Sequence, residues 1–538
     1  MRIMRSHLQD NEMSFDRRTL LTSLAGTAGL VACQTTAGAT TGVAAPSKLA
    51  FGRGTLGEDT LFPLGVASGD PLSDGFVIWT RIIPDPLALE TPLTGSIDVD
   101  WEVAEDETFS RVVKRGRKRA TEAWAHSVHV EVGGLQPHRQ YYYRFMADGQ
   151  KSPTGMAKTA PTYMAATDRV KFGVVTCQHF EQGFFNAYDD MLSMDPDFVL
   201  HMGDYIYEAS WGPQVRRQTT VEAMDLSDYR RLHAQYKLDP HLQEAHRRAA
   251  WLMIWDDHEV VNDYAGFNDE NYMPPAEVRA RRAAAYQAYY EHMPVRARSR
   301  PRGPFMHFHD NFQYGDLLAI ALTDARQYRD DQACQTPEDG GAQAVSCDEL
   351  RDPNRSMLGM AQERDLLRGI GRTGATWEVI AQPTLFARLN QTDWDGNPAS
   401  WSDGWDGYAP TRERILDMVE RRKPKNFVSL GGDMHSWWVG DLKPRFNDPN
   451  SPVVGSEFVT TSITAHSHAY GRFSRMLPDN PHIKFFDDRQ RGHTFMDVTK
   501  DRWTATLRAM DSVYDPNSGA TTRGTWVVET GNPGVIEA

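Results

Sequence analysis

The chain has 538 residues, 40% hydrophobic and 24% charged, enough to bury a large core without cross-links in about two to four domains. That balance excludes a disordered chain, a collagen-like repeat and a disulfide-dense mini-protein. Lys and Arg total 58 against 72 Asp and Glu, a net charge of −14, which argues against specific nucleic-acid binding or a general affinity for anionic membranes. The paired arginines Arg17 and Arg18 precede an uncharged stretch, Thr19 to Ser47, most apolar between Leu20 and Ala32. This is the layout of a twin-arginine export signal. Gly26, Gly29 and several threonines dilute it too much for a bilayer-spanning helix of about 20 apolar residues. Residues 1–47 therefore read as signal and linker. The export machinery is an expected partner, and the mature protein is expected in the periplasm or otherwise outside the cytoplasm. The run from Leu30 to Cys33 resembles a lipoprotein cleavage box, which would make Cys33 a lipid anchor. Cleavage after Ala39 or Ala45 is the competing reading.

Residues 56–163 read as a small β-sandwich. Phe76 to Trp79 is an apolar strand, and Val128, Val130 and Val132 alternate with His129 and Glu131, the period of a half-buried strand. A turn at Gly134 to Pro137 precedes the tyrosine-rich run Tyr141 to Phe145, a pattern similar to the tyrosine corner of immunoglobulin-like sandwiches. From residue 168 to 510 short apolar runs alternate with helical stretches, as in an α/β layered domain. The runs are Val170–Val175, Asp197–Met202, Trp251–Trp255, Leu317–Leu322, Trp377–Ala381 and Asn426–Leu430. Residues 511–538 read as a carboxy-terminal tail. Besides Cys33 there are Cys177, Cys334 and Cys347. The last two flank a Gly- and Gln-rich loop and are expected to form a disulfide. Cys177 is then left to be explained.

Four of the apolar runs end in metal-ligating side chains: Cys177 and His179, Asp204 with Tyr207, Asp257 with His258, and Asp433 with His435. Loops beyond the carboxyl ends of strands converge in α/β sheets. Residues this far apart can therefore share a pocket, although each alone reads as a turn former or a core side chain. Thiolate, phenolate, carboxylate and imidazole favour a transition metal such as ferric iron. Asp257 and Asp433 add oxygen donors for a harder cation such as calcium, and Asn262 can add an amide oxygen. Asp204 is the natural bridge. Two cations would clamp a phosphoryl group and supply a metal-bound hydroxide as nucleophile. His258 would protonate the leaving oxygen or hold a phosphate oxygen. Arg326 can grip phosphate with its fork or pair with Asp324 or Asp330. Glu208 and Glu259 read as supporting or loop charges.

Six strings together resemble the PhoD family of alkaline phosphatases and phosphodiesterases, within the calcineurin-like and purple-acid-phosphatase-like metallophosphatases. They are Phe62–Pro71, Trp79–Arg81, Gly203–Glu208, Trp255–Val260, Asp324–Arg329 and Gly431–His435, with Glu457–Ser462 and Asn480–Phe485 in support. The resemblance runs from about Leu56 to about Arg508. It implies a four-layer αββα sandwich behind an amino-terminal immunoglobulin- or fibronectin-like β-sandwich. It also implies Fe3+ with Ca2+, and phosphate release from mono- and diesters. Compared with purple acid phosphatases, Asp257 stands for an Asn and Asp433 for a His, both changes toward harder donors. No long carboxy-terminal helix of the kind that covers the site in some members follows Arg502. Two other readings are a phospholipase D-like diesterase acting on lipid head groups and a non-enzymatic metal-binding envelope protein.

Overall fold

In a computed structural model of the chain, the structure describes residues 60–88, 93–336, 340–393, 396–467 and 471–538. The expected export signal, the cleavage points read for it and Cys33 lie outside the described residues. Two large sheets face each other. The first runs, in spatial order, Asn532–Glu537, Ala520–Glu529, Arg502–Met510, Gly492–Thr499, Arg169–Val175, Phe198–Met202, Ala250–Ile254, Val66–Leu72, Gly75–Arg81, Ser127–Val132. The second runs Asp310–Tyr314, Leu318–Leu322, Trp377–Ala381, Phe427–Gly431, Gly455–Val459, Trp437–Leu442, Ile483–Asp487.

The central strands of both sheets are parallel and buried on both faces, which explains their unbroken apolar runs. Alternate side chains divide the work. Phe172, Val174, Leu200, Met202, Leu252 and Ile254 point at the second sheet and meet Ile320, Val379, Val428, Leu430 and Phe458. Val199, Trp251 and Met253 point the other way, into a layer that includes Tyr229, Leu232 and Tyr236 of the helix Leu226–Lys237 and Tyr286 and Tyr289 of Pro275–His292. Ile415, Leu416 and Val419 of the helix Ala409–Arg422 cover the far face of the second sheet. This is the αββα sandwich that the resemblance implies.

The structure adds to the sequence reading at two places. The small sandwich packs Val99, Val103, Tyr141, Tyr143 and Phe145 against Phe76, Ile78, Val128 and Val130. Its second layer is the end of the large sheet itself, with Ser68 paired to Ala250 and Gly69 to Trp251 in parallel register. The Tyr141 hydroxyl does accept the Gln136 N–H, at 2.9 Å. Residues 511–538 are not a loose tail: Ala520–Glu529 and Asn532–Glu537 extend the large sheet and add Trp526, Val528 and Val535 to the core between the sheets. The Gly-rich composition hid a short alternating pair of strands. Cys334 and Cys347 form the expected disulfide, and Cys177 is free and buried. No helix among the described residues is long and apolar enough to cross a membrane.

Candidate active site and metal centre

The carboxyl ends of the parallel strands of both sheets open on one side, and the expected ligands emerge there. The chain must turn sharply as each strand ends. Cys177, Asp204, Asp433 and His435 take left-handed backbone conformations, with φ of 53°, 56°, 58° and 49°. Such angles are uncommon for non-glycine residues and mark positions that the surroundings hold in place. Gly203 (φ 107°) lets the second loop touch the third, because a Cβ there would sit 2.7 Å from the Asp256 nitrogen. A Cβ on Gly432 would meet the Thr176 hydroxyl at 2.5 Å. Glu259 ties the loops together by accepting the N–H groups of Asp204, Tyr205 and Asp256 at 3.1, 2.6 and 2.9 Å. Glu457 does the same for the opposite wall, accepting Phe386 and Ala387 N–H at 2.7 and 2.8 Å.

Cys177 Sγ lies 3.4 Å from Asp204 Oδ2. The Tyr207 hydroxyl donates to the same oxygen at 3.1 Å and lies 3.0 Å from His435 Nε2. Ligand atoms of Cys177, Asp204 and His435 fall within 4.8 Å of one another, and so do those of Asp204, Asp257 and His258. Asp204 belongs to both groups, as a bridge requires. Asp433 faces the same cavity, its Oδ2 accepting the Thr384 hydroxyl at 2.7 Å.

The electrostatics show what this arrangement needs. Burial, then the Asp204 carboxylate, pushes the Cys177 thiol well up. Burial, then Asp204 and Cys177, does the same to the Tyr207 phenol. Burial drives Asp204 up against the pull of His258, with Asp257, Glu259 and Asp433 adding to the rise. Asp433 is pushed up to about 6 by burial and Asp257. So many buried acids repel one another unless a cation joins them. Asp204 Oδ1, moreover, is buried with no hydrogen-bond partner. The residues present therefore fit a metal centre.

His258 Nδ1 is bonded to Glu208 Oε2 at 2.7 Å. Burial disfavours its charge, but Glu208, Asp257 and Asp204 prevail and raise its pKa well above the ordinary value. Asn262 lines the cavity, its N–H on Glu208 Oε1 and its side-chain amide on Glu270 Oε2, both at 2.9 Å. Arg326 is placed differently from the sequence expectation. It lies behind the cavity, fully buried, with Nε on Asp256, Nη1 on Asp403 Oδ1 at 2.9 Å and Nη2 3.7 Å from Asp257 Oδ1. Its fork is occupied by protein carboxylates and not turned to a phosphate. Nor does its side chain pair with Asp324, which instead accepts the Arg326 backbone N–H at 3.1 Å.

A cavity of about 430 Å³ opens over this floor. Its walls include Trp211, Trp401, Phe473, Arg472, His466, Asp263 and Asp403. None of these was singled out from the sequence, because none follows an apolar strand. The signal that could have found Asp403 is its place between two tryptophans, Trp401 and Trp405.

Residues 172–507 match the model of the PhoD-like phosphatase family, and residues 50–161 match that of its N-terminal domain. The chain is similar to Alkaline phosphatase D of Bacillus subtilis (strain 168), 42% identical over 485 residues, covering 88% of this chain and 82% of that one. It is also similar to a solved structure described as "Structure of PhoD", with a TM-score of 0.84 and 41% identity over 90% of this chain and 93% of that one. Fold and family matches thus define a phosphoric ester hydrolase. The chain belongs to the PhoD-like phosphatase family, which sets aside the reading as a non-enzymatic envelope protein.

Proposed function

We propose that this enzyme works outside the cytoplasm and releases phosphate from mono- and diesters, as the name of its Bacillus subtilis relative suggests for alkaline conditions. The observation that carries the reading is the meeting of Cys177, Asp204, Asp257, His258, Asp433 and His435 on one cavity floor. Cys177, Asp204, Tyr207 and His435 would hold Fe3+. Asp204, Asp257 and Asp433, with Asn262, would hold Ca2+. Bound there, the cations would supply Lewis acidity: a nucleophile ionised near neutral pH and neutralised charge on the phosphoryl oxygens.

The chain's own groups supply the rest. Glu208 fixes His258 through Nδ1, keeps the ring charged and leaves Nε2 as its second proton-bearing nitrogen. His258 can then give a proton to the leaving alkoxide or hold a phosphoryl oxygen. Glu259 and the left-handed turns keep the acids in place before substrate arrives. Trp211, Trp401 and Phe473 give the ester's organic group an apolar wall. That wall also favours a second reading, a diesterase acting on lipid head groups, with Cys33 as the anchor.

Arg17 and Arg18 before the uncharged stretch Thr19–Ser47 support maturation by the twin-arginine route. The test is elemental analysis of protein matured by its own export route, with parallel assays on an aryl monoester, a bis-aryl diester and phosphatidylcholine. Iron and calcium with turnover of the first two support the proposal. Zinc alone, or full activity without metal, overturns the metal assignment, and preference for phosphatidylcholine selects the second reading.

A further inference from the structure

The disulfide joins Cys334 to Cys347, closing a loop whose ends are 13 positions apart. The described part of this loop does not lie free on the surface. Ala342 N–H donates to Asp263 Oδ2 at 2.7 Å, and Asp263 N–H in turn donates to Asp257 Oδ2 at 2.6 Å. Gln332, two residues before Cys334, donates from Nε2 to the Asp263 carbonyl at 2.6 Å and to Asp403 Oδ1 at 2.9 Å. Gln343 and Ser402 exchange hydrogen bonds at 2.9 and 2.8 Å, and Ala344 and Val345 pair with Trp401 and Ser400. Ala342, Asp263, Trp401 and Asp403 all line the active-site cavity.

The fit leaves no slack. A Cβ on Gly340 would stand 2.0 Å from the Glu270 carbonyl oxygen. On Gly341, whose φ is 76°, it would stand 2.9 Å from Glu270 Cβ and 3.1 Å from Asp263 Oδ2. Closing the ends of the loop lowers the entropy cost of holding Gly340–Ala344 in this position, and the cystine closes them.

We infer that the segment Gly340–Val345, anchored by the Cys334–Cys347 cystine, is a positioning element of the catalytic site, setting Asp257 through Asp263 and joining the wall that carries Asp257 to the wall that carries Trp401 and Asp403. The inference rests on the proposed role of Asp257 as a cation ligand. Partners behind a metal ligand commonly govern affinity about 10- to 100-fold. Opening the disulfide should therefore weaken cation binding before it unfolds the enzyme.

The experiment treats the folded holoenzyme with a phosphine. This cleaves the S–S bond, adds two electrons and two protons to give two thiols, and turns the phosphine into its oxide with oxygen from water. Thiol counting confirms the cleavage. Calcium affinity is read from the calcium-dependent rise in melting temperature, alongside kcat and KM. The Cys334→Ser/Cys347→Ser double variant serves as reference, because a phosphine effect on Cys177 would persist in it. Gly341→Val disturbs the same contact without redox chemistry. Expected are an about 10- to 100-fold weaker calcium response on reduction and in Gly341→Val, a lower kcat with little change in KM, and a double variant that the phosphine does not alter further. Unchanged calcium response after confirmed cleavage, or in both variants, overturns the inference. An oxidised enzyme that does not respond to calcium overturns the metal reading instead.

Discussion

Arg326→Met separates two roles for a residue that the sequence alone leaves undecided. Arg326 is 1% exposed and spans Asp256 and Asp403, with Asp257 at 3.7 Å. At an effective dielectric of about 20, a unit pair at that last distance interacts by about 4 kcal/mol. Removing one partner from a buried ion pair typically costs about 3–5 kcal/mol, because the remaining charges have no solvent to turn to. Three carboxylates lose their common cation here, so the upper half of that range is expected for stability. Arg326→Lys keeps the charge but lacks the planar fork, and a single ammonium cannot meet Asp256 and Asp403 in the same way. It should recover part of the stability and little of the activity. The assay pairs melting temperature with kcat, KM and competitive inhibition by inorganic phosphate. The geometry predicts a lower melting temperature and a kcat reduced at least about 100-fold, with phosphate inhibition little changed. A Met variant of normal stability whose KM and phosphate inhibition constant both rise sharply would show that Arg326 touches substrate after all, and would refute the argument.

Other consequences are direct. Cys177→Ser should abolish iron loading and most turnover, read by elemental analysis and by loss of any charge-transfer absorption; retention of both would make Cys177 a core thiol. His258→Ala should slow poor leaving groups far more than nitrophenol if His258 is the proton donor, whereas equal losses across leaving groups would assign it to phosphate binding. Acid should destabilise the fold in a defined window. Burial lowers His201 to about 3 and His482 to about 4, against about 6.5 when unfolded. Their stabilising contribution is present above about 6.5 and is lost as pH falls toward those values, at about 1.4 kcal/mol per pH unit for each group. Denaturant midpoints from pH 6.5 to 4 should therefore fall, and His482→Asn should flatten the slope; a slope that both His482→Asn and His201→Phe leave unchanged rules the mechanism out.

The parts legible in the sequence are those that physics writes locally. Parallel strands buried on both faces are apolar throughout, so the runs Asp197–Met202 and Asn426–Leu430 stand out in the sequence and the candidate ligands that follow them stand out with them. What was hidden depends on partners far along the chain. Arg326 reads as a phosphate gripper or a local ion pair, since nothing near it in sequence shows that Asp256, 70 residues away, and Asp403, 77 away, fill its fork. The edge near residue 163 is legible because composition changes there, and the two family models divide the chain at the same point. What composition does not show is that strands from before this edge complete the large sheet, since the pairing of Ser68 with Ala250 leaves no compositional trace. The expected ligands also share a backbone feature. Cys177, Asp204, and Asp433 with His435 lie in three turns and take left-handed backbone there. Aspartate and histidine are among the side chains that tolerate such backbone, whereas a cysteine is not, so Cys177 is the residue whose type the turn does not explain. The strain is held by Glu259 and by close approaches at Gly203 and Gly432. Substituting either glycine should therefore disturb the metal centre while leaving the sheets behind it intact.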